Sequence, residues 1–423
     1  MGNASVNHDR IYNLVDHLFR HESGKMVAVL SRLLGLQNLE TAQDIVQDTL
    51  LQAMNTWRFR SVPDNPTAWL YRVARNKAID FLRREKKFRQ LSPNYANLLE
   101  SEYSLAYTVS NLFIENEIQD SQLRMIFACC HPSIPEDSQV ALVLKTLCGL
   151  SVTEISRGFL TNEETISKRI YRAKEKIKAE KIELEVPATD DFPERLDAVL
   201  KSIYLLFNEG YNSSHPDQLI REDLCDEAIR LGFIISQNSV TRYPRSFALL
   251  ALMHFQASRL GARLDDKGNI VLLKYQDRSR WNRSLIRRGF ELLELAAEPF
   301  ETSSYHFEAA IASLHAAAPS FEQTDWKSIY HLYELLFQFQ PNPVVALNKA
   351  IASAYAVSKE QAMIELKQIK GLENHYLYYA SLGEIHLELQ QKKEALACFE
   401  KALLHTKSQS EQQLLKTKML LCN

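Results

Sequence analysis

Thr165, Lys168, Arg172 and Lys176 recur three or four residues apart, so on a helix they form one polar, mostly cationic stripe. Such side chains hold phosphate oxygens by charge and read guanine edges by paired hydrogen bonds; they break no covalent bond. Ile166, Ile170, Ala173 and Ile177 fall on another face of the same helix. One face can therefore dock on a neighbouring element while the other enters a major groove. Ser151 and Glu154 have the spacing of a capping box, and Thr161 and Glu164 repeat it ten residues later. Two helix starts so close leave room for a short helix, a turn and a second helix, which is helix-turn-helix spacing.

A second cationic segment lies upstream. Arg72, Arg75, Lys77, Arg83, Arg84, Lys86, Lys87 and Arg89 outnumber Asp80 and Glu85 there. The whole chain carries a net charge of only −2, which excludes a uniformly basic coat. Local patches on a near-neutral whole suit a protein that touches nucleic acid at chosen places.

The elements that position these residues read as helices. Leu, Ala, Glu, Lys and Arg dominate the 423 residues, glycine is sparse at 12, and no alternating strand series appears. An all-α fold of two or three domains is expected. Residues 8–87 read as one helical domain, in which Asn65 caps a helix that starts at Pro66. Leu70, Ala74, Ala78 and Phe81 form its apolar stripe, and Arg72, Asn76, Asp80 and Arg83 a polar one. Trp69 beside that stripe is assigned to the core rather than to base stacking. Residues 88–117 lose periodicity and read as a linker with a short helix, and residues 118–182 as the helix-turn-helix domain.

The acidic, proline-bearing run 185–193 marks a boundary, and 190–423 is helix after helix. Within 376–409, Leu382-Gly383, Ala395, Phe399 and Ala402 have tetratricopeptide-repeat spacing; a looser copy spans 343–370. Tyr204, Phe207, Asn208, Glu209 and Tyr211 read as a packed turn, and Asp277, Arg278 and Arg280 near Trp281 as a candidate ion-pair cluster that serves structural pairing or docking on the N-terminal domains rather than chemistry. The histidines of this region lack a paired acid or nucleophile, so no catalytic residue is assigned. The six cysteines have no repeated spacing and read as thiols; the Cys129-Cys130-His131 run lacks a second ligand pair, so no metal or other cofactor is expected. No apolar run is long enough for a bilayer and no secretory signal opens the chain, so no membrane partner and a cytoplasmic location are expected.

The order DIVQDTLLQAM, then Trp57 leading into DNPTAWLYRVARNKAIDFLRR, then a linker and a helix-turn-helix, resembles the extracytoplasmic-function class of sigma-70-type RNA polymerase initiation factors. The resemblance covers about residues 8–182. FNEGY, REDLCDEAIRLG and QDRSRW resemble parts of a long helical extension found in one branch of that class. It implies two small DNA-binding domains, sigma regions 2 and 4, followed by a tetratricopeptide-like domain. It implies core RNA polymerase and promoter DNA as partners, through the β′ clamp and the β flap, and no enzymatic activity of the chain's own.

The roles it implies are specific. Asp44, Gln47 and Asp48 dock on the β′ clamp. Pro63, Asp64 and Asn65 shape a pocket for a base pulled from the −10 element. Arg72, Asn76, Lys77, Asp80, Arg83 and Arg84 contact the displaced strand or its phosphates. Thr165, Ser167, Lys168, Arg169 and Arg172 read the −35 element. The extension regulates, by holding the DNA-binding domains or by receiving a regulatory protein or peptide. Two alternatives stay open at this point: a helix-turn-helix regulator with a helical sensor, which does not need residues 40–87, and an enzyme within 194–423.

Overall fold

Apolar residues three and four apart make helices from one end to the other, and among the described residues no strand forms. The structure, a computed structural model, describes residues 2–85, 107, 109–159, 161–186, 192–213, 219–238, 241–298, 301–406 and 408–422. Most of the linker expected over 88–117 lies outside the described residues, as do Lys86, Lys87 and Arg89. By internal contacts the chain divides into two units, 1–206 and 207–423.

The first unit opens with α1 (Gly2–Leu34), α2 (Leu39–Phe59) and α3 (Pro66–Glu85). Gly35 ends α1 at φ 85°, a left-handed conformation that favours glycine. Met26 to Leu30, Leu33 and Leu34 are all buried, because α1 packs against α2, α3 and a later helix at once. Along α2, Ala42, Ile45, Val46, Leu50, Ala53 and Trp57 line the buried side. Asn65 Oδ1 accepts from Ala68 N at 2.9 Å, so the Asn-Pro start of α3 is as expected. Leu70, Ala74 and Ala78 are fully buried. Ile79 and Leu82 continue the stripe; Phe81 is only half-buried.

Next come α4 (Glu115–Cys129), α5 (Glu136–Thr146), α6 (Val152–Gly158) and α7 (Glu163–Glu180). Helix α4 begins three residues before the expected 118. It is largely buried because α1 packs along it, and Cys129 at its end and Cys130 just after it are buried thiols. Burial pushes the Cys129 thiol up to about 12. The capping box at Ser151 and Glu154 is complete: each backbone N–H donates to the other's side chain, at 2.6 and 3.1 Å. The second one is not formed. Asn162, not Thr161, caps α7, its Oδ1 accepting from Thr165 N at 2.8 Å. An asparagine is the stronger cap, and it shifts the helix start by one residue.

Helix α8 (Phe192–Tyr211) starts at the proline-bearing boundary, yet the division between the units falls inside it. Its first half belongs to the first unit. Phe192 meets Phe127 with ring centroids 5.2 Å apart, and Lys201 pairs with Glu136 at 2.6 Å. Residues 204–211, expected as a turn, are its last two turns. Gly210 is required there, since a Cβ would lie 2.7 Å from Cys225 N in the next helix.

The second unit continues with α9 (Glu222–Gln237), α10 (Pro244–Ala257) and α11 (Arg283–Ala296). Between α10 and α11 the chain makes short 3-10 turns at Leu260–Ala262, Leu273–Tyr275 and Arg278–Arg280 and an isolated bridge between Leu264 and Ile270. The cluster expected around Arg278 is not an ion-pair cluster. Arg278 Nη1 donates to the carbonyls of His315 and Ala318, both at 2.6 Å, and Asp277 caps Ser279 N at 2.9 Å. Helix-end carbonyls need donors, and the guanidinium meets them.

The rest is a stack of helix pairs: α12 (Ser304–Ala317) with α13 (Trp326–Phe339), α14 (Pro343–Ala356) with α15 (Lys359–Gln368), and α16 (Tyr376–Glu388) with α17 (Lys392–Leu404), then α18 (Gln409–Leu420). Each core bridges neighbours. Ile311, Ile329 and Ala352 join α12, α13 and α14; Leu347, Leu366 and Leu382 join α14, α15 and α16. Stacking of this kind covers apolar faces that one pair alone would expose. Gly383 lets α16 and α17 approach, since a Cβ there would lie 2.5 Å from the Phe399 ring. The first pair escapes sequence detection because aromatic residues crowd α13.

Candidate nucleic-acid interface

Helix α7 carries its stripes as its sequence implies. Ile166, Ala173 and Ile177 are almost fully buried and Ile170 nearly so, each isoleucine contributing roughly 1.5–3 kcal/mol at most and the Ala173 methyl about 0.8 kcal/mol. They dock on α5 and α6. Lys168 and Arg172 are exposed and Thr165 is half-buried on the neighbouring flank. Lys168 pairs with Glu164 at 2.7 Å and Lys176 with Glu180 at 2.5 Å, so glutamates one turn away temper the cationic stripe.

Arg169 is turned elsewhere. Its Nη2 lies 2.9 Å from Asp137 Oδ2 on α5, and its guanidinium lies 5.4 Å from the Phe159 ring centroid. It joins helices rather than facing outward with Lys168. Ser167 sits on the opposite flank. With Gln43, Gln47 and Tyr171 it lines a cleft of about 300 Å³.

On α3, Arg72, Asn76, Asp80, Arg83 and Arg84 are all exposed, with the first four in a row along the helix. Arg83 lies 3.7 Å from Asp80, and Arg84 Nε donates to the Asp80 carbonyl at 3.2 Å. At its start Asp64 and Asn65 are exposed and Pro63 is half-buried. The Asn65 oxygen serves the helix cap, leaving its amide nitrogen for a ligand. Trp69 packs edge-on against buried Trp57, with centroids 5.3 Å apart, as a core partner would. Tyr71 is tied down too, donating to Glu22.

Asp44, Gln47 and Asp48 are exposed on α2. Asp48 lies 3.8 Å from Lys77 of α3, so a residue expected on polymerase and one expected on DNA meet on one surface.

The two helical domains of the first unit pack directly on each other. Gly24 of α1 admits no side chain, because a Cβ would lie 2.0 Å from the Leu147 carbonyl oxygen. Arg32 bridges Glu117 and Asp120 of α4 at 2.8 and 3.0 Å. Glu40 of α2 accepts from Lys178 at 3.0 Å and lies 3.9 Å from Lys174, and Lys174 also donates to Gln43 at 2.8 Å. The Lys178 hydrogen bond holds the Glu40 carboxyl below its usual range, and Glu40 raises Lys178 in turn. Burial lowers Lys174. Sequence reading missed Glu40, Lys174 and Lys178; the free flank of α7 shows no local sign of its neighbour.

These features define a helical protein with two exposed cationic helix faces. Residues 18–88 match sigma-70 region 2 and residues 124–177 match sigma-70 region 4. Residues 195–297 match a family of unknown function, DUF6596. An uncharacterised protein of Rhizobium meliloti is 36% identical over 378 residues, 89% of this chain and 88% of its own. The ECF RNA polymerase sigma-E factor of Haemophilus influenzae is 29% identical over 157 residues, 36% of this chain and 79% of its own. The RNA polymerase sigma factor SigV of Bacillus subtilis is 25% identical over 138 residues, 33% of this chain and 74% of its own. No solved structure matches the chain significantly.

The chain belongs to the extracytoplasmic-function sigma factors of the sigma-70 family and carries an additional C-terminal helical region. It directs core RNA polymerase to promoters for transcription initiation. No helix among the described residues is long and apolar enough to cross a membrane.

Proposed function

We propose that residues 8–87 engage the β′ clamp and the −10 element, and residues 118–182 the β flap and the −35 element. The carrying observation is the docked helix α7, with its apolar stripe buried and Lys168 and Arg172 outward. Thr165, Lys168 and Arg172 read or grip the −35 DNA. Arg169 positions α7 through Asp137 instead. Arg72, Asn76, Asp80, Arg83 and Arg84 follow the opened strand, with Pro63, Asp64 and Asn65 at the flipped base. Asp44, Gln47 and Asp48 hold the clamp. The polymerase performs the chemistry, in the cytoplasm, and the chain itself is no enzyme.

The packed arrangement of the two domains is a resting state in this reading. The two promoter boxes lie about 25 base pairs apart, about 85 Å at 3.4 Å per step. A recognition helix tied to α2 through Lys178 and Glu40 cannot reach one box while α3 holds the other. Separation must therefore precede or accompany promoter binding. Residues 190–423 regulate that step, with a protein or peptide as the regulating partner.

Transcription from a cognate promoter with purified core enzyme tests the assignment. Arg83→Ala with Arg84→Ala should abolish opening of the −10 region while leaving core binding intact. Unimpaired permanganate reactivity of the melted region would remove the strand-binding role. Deletion of 207–423 should change promoter output; unchanged output and unchanged core binding would remove the regulatory one.

A further inference from the structure

A cavity of about 430 Å³ opens between the end of α13, the start of α14 and the end of α15, a size suited to a small ligand. Phe337, Pro341, Pro343 and Ile369 form its apolar wall. Its floor is an incomplete ion pair. Lys349 Nζ lies 3.4 Å from Glu365 Oε2, and the two side chains are only 23% and 10% exposed. Glu365 is held in place by Tyr330 Oη and Gln361 Nε2, which donate to its Oε1 at 3.0 and 3.1 Å.

Oε2 accepts no hydrogen bond. The Lys349 ammonium sits 5.8 and 5.9 Å from the Tyr330 and Phe337 ring centroids, and among the described residues its three donors meet no acceptor in hydrogen-bond geometry. The Lys349 side chain is three-quarters buried, and its donors, unfilled by neighbouring side chains, are left for a ligand entering the pocket. Lys370 stands at the rim, and Asn342 and Pro343 bring the positive end of α14 to the same opening.

We propose that this pocket binds an organic carboxylate with an apolar body, its oxygens on Lys349 and its body on the Phe337, Pro341, Pro343 and Ile369 wall. Glu365 orients the ammonium and cancels one charge, so the site suits a monoanion better than a phosphate dianion. A cationic ligand would meet Lys349 before Glu365. The apolar wall supplies affinity that a bare anion cannot use.

Calorimetric titration of the full chain with 3-phenylpropanoate, 3-phenylpropanamide and acetate tests this. The acid should bind saturably, and the amide and acetate at least about tenfold more weakly. Ala346→Leu fills the cavity without touching the ion pair; it should abolish binding at an unchanged thermal midpoint. Lys349→Met should erase the preference for acid over amide. Because that change strands Glu365 and can unfold the helix pair, Lys349→Arg is its companion and should keep the preference. A peptide ending in a free phenylalanine carboxylate, run beside the small acid, tells whether the carboxylate is a free metabolite or a chain terminus. Equal binding of acid and amide, binding that survives Ala346→Leu, or a pocket that takes up none of these carboxylates would overturn the proposal.

Discussion

Arg278 satisfies two helix-end carbonyls with one nitrogen and reaches Thr324 Oγ1 at 3.2 Å with another. Its side chain is buried. Arg278→Ala should therefore cost roughly 2–4 kcal/mol in urea unfolding, from carbonyls left without donors; a loss under about 0.5 kcal/mol would mean that the loop is not anchored there. Neighbouring His315 is pushed down to about 3, first by burial and then by Arg259 and Arg278. It is neutral when folded and takes a proton when unfolded below the ordinary histidine value of 6.5. Unfolding is thus favoured as pH falls from 6.5 toward 3, and the stability present above 6.5 is lost. Thermal midpoints should drop between about pH 7.5 and about pH 5, and His315→Gln should flatten that slope. A wild-type slope equal to the variant's would remove His315 as its source.

Helix α7 joins residues with opposite duties one position apart. Lys168→Ala and Arg172→Ala should each weaken promoter binding by about 1–3 kcal/mol if they reach base edges. If they touch only phosphate, they should lower the salt slope by about one. Neither should change the unfolding midpoint, since both side chains are exposed. Arg169→Ala should do the reverse, lowering stability by about 1 kcal/mol while leaving sequence preference intact. A loss of preference without a loss of stability would return Arg169 to the DNA face. The apolar stripe of α7 was legible because helical periodicity is local. The orientation of Arg169 was not, because it depends on Asp137 and Phe159 in other elements. The cap moved to Asn162 for a smaller reason: two capping residues stand side by side, and spacing alone does not rank them.

Across the first unit, closure rests on Gly24 and on the Glu40 contacts. Glu40→Arg sets like charges against Lys174 and Lys178 and should separate α2 from α7, read as a longer distance between dyes on the two helices. An unchanged distance would mean that apolar packing alone holds them together. The depressed Glu40 carboxyl adds to closure above the carboxylate range and loses that contribution as pH falls through it; Lys178, raised, keeps its own up to alkaline pH. Closure should thus persist around neutrality and loosen in acid.

Helices, their caps at Ser151 and Asn65, and the two cationic stripes follow from neighbours within four residues, so they stand in the linear order of the chain. Residues far apart in that order met only on folding. Glu40 and Lys178, Gly24 and Leu147, and Lys349 and Glu365 are paired by packing, and no periodicity in one segment encodes what another segment brings beside it.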